Sequence, residues 1–141
     1  MKQRQVEQGL ILIGVDFAQL ANYVDFNQLE QTQRQRIISS WPGPNTWLVP
    51  RLDSAPEYIS GKHDTIAVRV PDHQFCLALL ARLPHALVST SANRHAQAAL
   101  LSASQVTQEF AQEVDLVIDL PVGGYVSAST IRHATSGEQI R

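Results

Sequence analysis

The sequence predicts an α/β protein of the α+β kind: an open, twisted sheet of parallel and antiparallel strands with helices packed on it. Short apolar runs of strand length alternate with stretches of helical period. Several connections are too short for the crossover that joins parallel strands. Residues 116–141 read as antiparallel hairpins.

The elements follow in order. Residues 10–15, Leu-Ile-Leu-Ile-Gly-Val, form a short apolar run that reads as a buried strand, covered on both faces and paired on at least one edge. Asp16 caps a short helix in which Phe17, Leu20, Ala21 and Val24 keep the helical period. Residues 27–39 read as a Gln-rich helix with Leu29, Ile37 and Ile38 as a thin apolar stripe. Trp41-Pro42-Gly43-Pro44-Asn45-Thr46 stops it, because two prolines and a glycine cannot continue a helix. A brief strand covers residues 47–49, and the polar stretch 50–64 reads as a surface loop.

Residues 65–70 form a strand of good propensity. Period two places Thr65 and Arg69 on one face, and Ile66, Val68 and Val70 on the other. Asp72 is expected to cap a helix over 73–83, with Phe75, Leu79, Leu80 and Leu83 inward. Residues 86–90 read as a strand; if it runs on, Ser89 and Ser91 share a face. Ser102 and Gln105 form a capping-box pattern for a helix containing Val106 and Phe110. Strands are expected at 116–120 and 125–131, the latter with Ser127 and Ser129 on one face, and Ser136-Gly137 turns the chain once more.

Composition narrows the function classes. The chain has 141 residues, 44% of them hydrophobic and 17% charged, which fits one folded domain over 1–141 and excludes a disordered chain. No apolar run reaches the ~20 residues of a membrane span, and the start lacks a secretory h-region. The single cysteine, Cys76, excludes a disulfide framework and a multi-cysteine zinc site. No histidine spacing fits a cage built from protein ligands, so no metal site is assigned. A cytoplasmic protein is the simplest reading. The net charge of −2 argues against wholesale nucleic-acid wrapping. Of the eleven cations only Lys2 and Lys62 are lysines. Arginine suits fixed, bidentate contacts with phosphate and carboxylate. A charged arginine and several hydroxyls on strand positions are costly unless they reach water or a ligand. Pattern alone leaves both destinations open.

Five motifs, in this order, carry a resemblance: Lys2-Gln3-Arg4; the Trp41–Thr46 run; Thr65-Ile66-Ala67-Val68-Arg69-Val70-Pro71 after Asp64; Ser89-Thr90-Ser91-Ala92-Asn93; and Ser129-Thr130-Ile131-Arg132. Together they resemble the YrdC/TsaC family of threonylcarbamoyl-AMP synthases over the whole chain. The resemblance implies a YrdC-like sheet around a basic concavity. It implies formation of threonylcarbamoyl-adenylate and pyrophosphate from ATP, L-threonine and bicarbonate, with Mg²⁺ accompanying ATP. A threonylcarbamoyl-transferase complex would then pass the group to tRNA. By motif position, Arg69, Ser89 and Ser129 resemble threonine-side contacts. Lys2, Arg4, Thr65, Ser91, Asn93 and Arg141 resemble ATP-side contacts. The resemblance supplies no catalytic acid or base, so catalysis would be positioning and charge stabilisation.

Three departures stand beside it. A leading segment of about fifty residues is expected before Lys-x-Arg in the family, so the domain is expected to be incomplete at its N-terminus. Gln5 replaces the usual proline. Arg94-His95-Ala96 replaces a small or apolar residue followed by Ser-Gly. Two alternative readings stand on the same resemblance: a non-catalytic YrdC-like module that binds RNA (tRNA or double-stranded RNA) or assists ribosome maturation, and an accessory domain for carbamoyl transfer to another acceptor.

Overall fold

A computed structural model describes residues 9–94, 97–125 and 127–141. They pack as two compact units, a larger one of residues 9–89, 125 and 127–141 and a smaller one of 90–94 and 97–124.

The larger unit holds a five-stranded sheet in the order β4-β1-β3-β2-β5. Its strands are β1 (Ile11–Ile13), β2 (Asn45–Pro50), β3 (Thr65–Arg69), β4 (Leu87–Ser89) and β5 (Thr130–His133). β1 runs parallel to β3 and β5 parallel to β2, while β1–β4 and β2–β3 are antiparallel. The mixed sheet expected from the short connections is therefore present. β1 is paired on both edges, as its apolar run requires, and β4 and β5 form the borders.

One sheet face carries the core. Leu12, Val68, Ile66, Trp47 and Val49 all point to it and are buried. Helices α1 (Phe17–Leu20), α2 (Gln31–Ser39) and α3 (Glu57–Ser60) add Leu20, Ile37 and Ile59. Truncating such a side chain to alanine typically costs about 2–5 kcal/mol. The other face is half-buried: Thr65, Ala67 and Arg69 alternate with the buried Ile66 and Val68, as the period of β3 predicts. That face holds the candidate site.

Several elements differ from expectation for local reasons. The helix expected over 27–39 is two pieces. A 3₁₀ turn at Phe26–Gln28 ends at Leu29, whose backbone is extended, and α2 starts afresh after Glu30. The Glu30 amide donates to Gln33 Oε1 at 2.8 Å, which fixes the new start. The loop 50–64 contains α3. It ends at Gly61, whose φ of 61° suits glycine, and the Ile59 carbonyl accepts from the Leu10 amide at 2.8 Å to seat the entry to β1.

The fourth helix, α4, spans Gln74–Leu80 with His73 at its N-cap. Asp72 does not cap it; its carboxylate instead accepts from the Tyr125 hydroxyl. Leu80 is buried, as expected, and Leu77 packs on the core, whereas Phe75 and Leu79 are exposed, so the inward stripe runs through Leu77 and Leu80 rather than through Phe75 and Leu79.

β4 ends at Ser89, so Ser91 lies outside it. Residues 116–120 are not a strand: the Leu120 amide bonds to the Ile118 carbonyl, a tight local turn that breaks the extended path. The last strand begins at Thr130, where the amide first finds a partner in the Pro44 carbonyl, so Ser127 and Ser129 precede it. Among the described residues only the terminal hairpin forms. Ser136-Gly137 turns the chain, and Arg132 bridges Gln139.

In the smaller unit, α5 (Ala103–Phe110) has the expected cap: Ser102 Oγ accepts from the Gln105 amide, and Gln105 Oε1 accepts from the Leu101 amide.

Candidate functional site

Arg69 is the last residue of β3 and stands opposite Ile13. The antiparallel register that sets Trp47 on Val68 continues to place Thr46 beside Arg69. Arg69 Nε donates to the Gly43 carbonyl at 2.7 Å. That bond ties the guanidinium to the turn between Trp41 and Thr46, where the Trp41–Pro42 peptide is cis. Its terminal nitrogens take no described side chain as partner. Burial pulls the pKa of Arg69 below the usual guanidinium range, and Tyr125, Cys76 and Asp72 nearby oppose the shift. The result is a half-buried, anchored cation that presents its fork, the geometry that a carboxylate accepts.

Hydroxyls lie on the same sheet face. Thr46 is fully buried, and its Oγ1 donates to Ser129 Oγ at 3.0 Å. Arg141 Nη2 donates to the Ser129 carbonyl at 3.2 Å. Thr130 Oγ1 donates to Asn45 Oδ1 at 3.0 Å, which pins the segment carrying Ser129 to the start of β2. Ser89 pairs with Ile11 and shares the sheet face of Arg69. Thr65 also lies on that face, about 13 Å along β3 from Arg69 at the usual rise per residue. The Tyr125 hydroxyl donates to Asp72 at 3.1 Å, and burial first, then this bond, raises its pKa.

The structure thus bonds Ser129 to Arg141 and to Thr46, whose register position is beside Arg69, and sets Thr65 and Ser89 on the face of Arg69. Ser91 and Asn93 belong to the smaller unit, where Ser91 Oγ donates to Asn93 Oδ1 at 2.7 Å and Asn93 Nδ2 to the Gln97 carbonyl at 2.6 Å. Arg94, which replaces the small residue expected after Asn93, contacts Glu109 and Glu113, each at 2.6 Å. It also stacks 5.0 Å from the centroid of Phe110. Lys2 and Arg4 lie outside the described residues. Among the described residues no group of His, Cys, Asp or Glu gathers to hold a metal ion.

Thr46 is the site residue that the sequence reading passes over. Its signal is positional. β2 starts at Asn45 rather than Trp47, so period two puts Thr46 on the face opposite the buried Trp47.

Comparisons with known proteins show what the chain is similar to. The family model for Sua5/YciO/YrdC proteins, described as telomere recombination, matches residues 1–141. The threonylcarbamoyl-AMP synthase of Pseudoalteromonas atlantica is 46% identical over 141 residues, covering all of this chain and 75% of that protein. That of Serratia proteamaculans is 42% identical over the same length, covering all of this chain and 74% of that protein. The structure of P. abyssi Sua5 complexed with L-threonine superposes with a TM-score of 0.83 at 27% identity, over 92% of this chain and 38% of that one. E. coli YciO, at 22% identity, shares the fold with a TM-score of 0.77 over 98% of this chain and 69% of its own.

Proposed function

This chain belongs to the Sua5/YciO/YrdC family, and from that we propose that it makes L-threonylcarbamoyl-adenylate, releasing pyrophosphate, from ATP, L-threonine and bicarbonate. One observation carries the reading: Arg69 is held through Nε on a half-buried sheet face, with its fork free for a carboxylate. The threonine complex of the P. abyssi relative supports the choice of amino acid.

In this reading the threonine carboxylate sits on Arg69 and its remaining polar groups meet Ser129 and Ser89. The threonine amine adds to bicarbonate with loss of water to give a carbamate. A carbamate oxygen then attacks the α-phosphorus of ATP, and pyrophosphate leaves. Thr65, Ser91, Asn93 and Arg141 contact the nucleotide, and Lys2 and Arg4 the triphosphate. Mg²⁺ arrives as part of the ATP substrate, held by phosphate oxygens. This chain's own groups bind and orient, and fixed donors stabilise charge on the phosphates. The product then serves a transferase complex that modifies tRNA, in the cytoplasm, where ATP and tRNA are available.

The test is product formation with isotope-labelled bicarbonate. The reading expects the label in a threonylcarbamoyl-adenylate, with pyrophosphate released only when all three substrates are present. Duplex RNA binding with no adenylate formed would replace it with the non-catalytic alternative.

A further inference from the structure

We propose a second anion site on the side of the sheet away from Arg69: a pocket for the phosphate group of a small phosphorylated molecule, read by Arg36 and Arg132. The pocket has a volume of about 420 Å³ and is lined by Arg36, Ser40, Asn45, Trp47, Arg132 and the Ser136-Gly137 turn. Arg132 pairs with Trp47 in the β2–β5 register, so both point to the core side, whereas Thr46 and Ile131 point to the Arg69 side.

Two guanidinium groups converge on one glycine. Arg36 Nη1 lies 2.5 Å from where a Cβ on Gly137 would stand, and Arg132 Nη1 donates to the Gly137 carbonyl at 3.4 Å. Gly137 has a φ of 77°, a conformation that leaves this space open at little cost only for glycine. Arg132 Nη2 is held by Gln139 Oε1 at 2.8 Å, a neutral partner that orients the fork without cancelling its charge. Among the described residues neither arginine forms an ion pair with a carboxylate; the described pairs all belong to Arg94.

Arg36 also sits in the last turn of α2, where a cation complements the helix dipole. That accounts for one charge and not for two facing one glycine. The negative end of α2 is blunted as well. The Ile37 carbonyl accepts from both the amide and the hydroxyl of Ser40, and the Ser40 carbonyl from Asn45 Nδ2. Two like charges brought together without a counter-ion favour an anion between them, and guanidinium forks match phosphate oxygens. The two cations line one concavity beside Gly137 rather than forming a row. That suits a single phosphate head and not a nucleic-acid backbone.

The experiment measures thermal stability and affinity for inorganic phosphate and for glycerol phosphate, against sodium chloride at equal ionic strength. Both phosphates are expected to raise Tm beyond chloride. Arg36→Gln, at an exposed helix position that leaves folding intact, should weaken the apparent affinity about tenfold. Arg132→Gln should do the same, and the response should persist with ATP at saturation, which separates this pocket from the proposed active site. Tighter binding of glycerol phosphate than of inorganic phosphate would identify an ester as the ligand, and the reverse order free phosphate. Equal effects of phosphate and chloride, or unchanged affinity in Arg36→Gln, would overturn the proposal.

Discussion

Thr46 Oγ1 donates to Ser129 Oγ at 3.0 Å, joining a fully buried position on β2 to the segment that enters β5. The bond fixes the Ser129 hydroxyl, whose carbonyl is already held by Arg141. Thr46→Val keeps the shape and removes the donor. It should cost about 1 kcal/mol of stability, the usual net worth of such a bond. A freed Ser129 should also lower kcat/KM for threonine roughly tenfold, the equivalent of ~1.4 kcal/mol of lost positioning. Urea unfolding and steady-state kinetics on the same sample check both parts.

Gln19 is a structural hub. Its Oε1 accepts from the Val15 amide at 2.8 Å, and its Nε2 donates to the carbonyls of Leu80 and Leu83 at 3.1 and 2.8 Å. These bonds tie the start of α1 to the end of α4. Gln19→Leu should destabilise the chain by about 2–3 kcal/mol, because part-buried backbone groups lose their partners. Guanidinium unfolding measures the loss, and an unchanged midpoint would mean that water replaces the amide.

Ser102 caps α5 by accepting from the Gln105 amide at 3.3 Å. Ser102→Ala should weaken the first turn by about 1 kcal/mol. Hydrogen exchange at the Gln105 amide should accelerate accordingly, while amides in β3 keep their protection.

Cys76 lies on α4, and burial raises its thiol pKa, against a smaller opposing pull from Arg69. The folded state therefore holds the thiol proton more tightly than the unfolded chain does. Its contribution to stability is complete below the unfolded thiol's pKa and is lost as pH rises through the folded value. Alkylation by iodoacetamide should be slower than in urea-unfolded protein, with its pH midpoint displaced upward. A midpoint below that of the unfolded thiol would contradict this and make Cys76 a reactive thiol.

The parts legible in the sequence are those that local chemistry decides. The alternation of β3 assigns Arg69 to the half-buried face because Ile66 and Val68 can only be buried. Asp16 and Ser102 act as caps because their side chains reach amides three residues on. Longer-range partners decide the rest. Asp72 resembles a cap in sequence and bonds Tyr125 in the fold. Residues 116–120 alternate like a strand, but a tight turn at Ile118–Leu120 breaks them. Thr46 is half-hidden in a Pro-Gly-Pro run whose strand starts two residues earlier than its propensities indicate. Ser89 and Ser91 share a motif but not a strand.

The most direct test of the account is calorimetric titration of the protein with L-threonine and with L-threoninol, which lacks the carboxylate. Threonine should bind and threoninol should not. Arg69→Lys should weaken threonine about tenfold or more, because an ammonium cannot reproduce the fork anchored at Gly43, and should leave ATP affinity within about twofold. Equal binding of the two ligands, or threonine affinity unchanged in Arg69→Lys, would contradict the assignment of Arg69 as the carboxylate site.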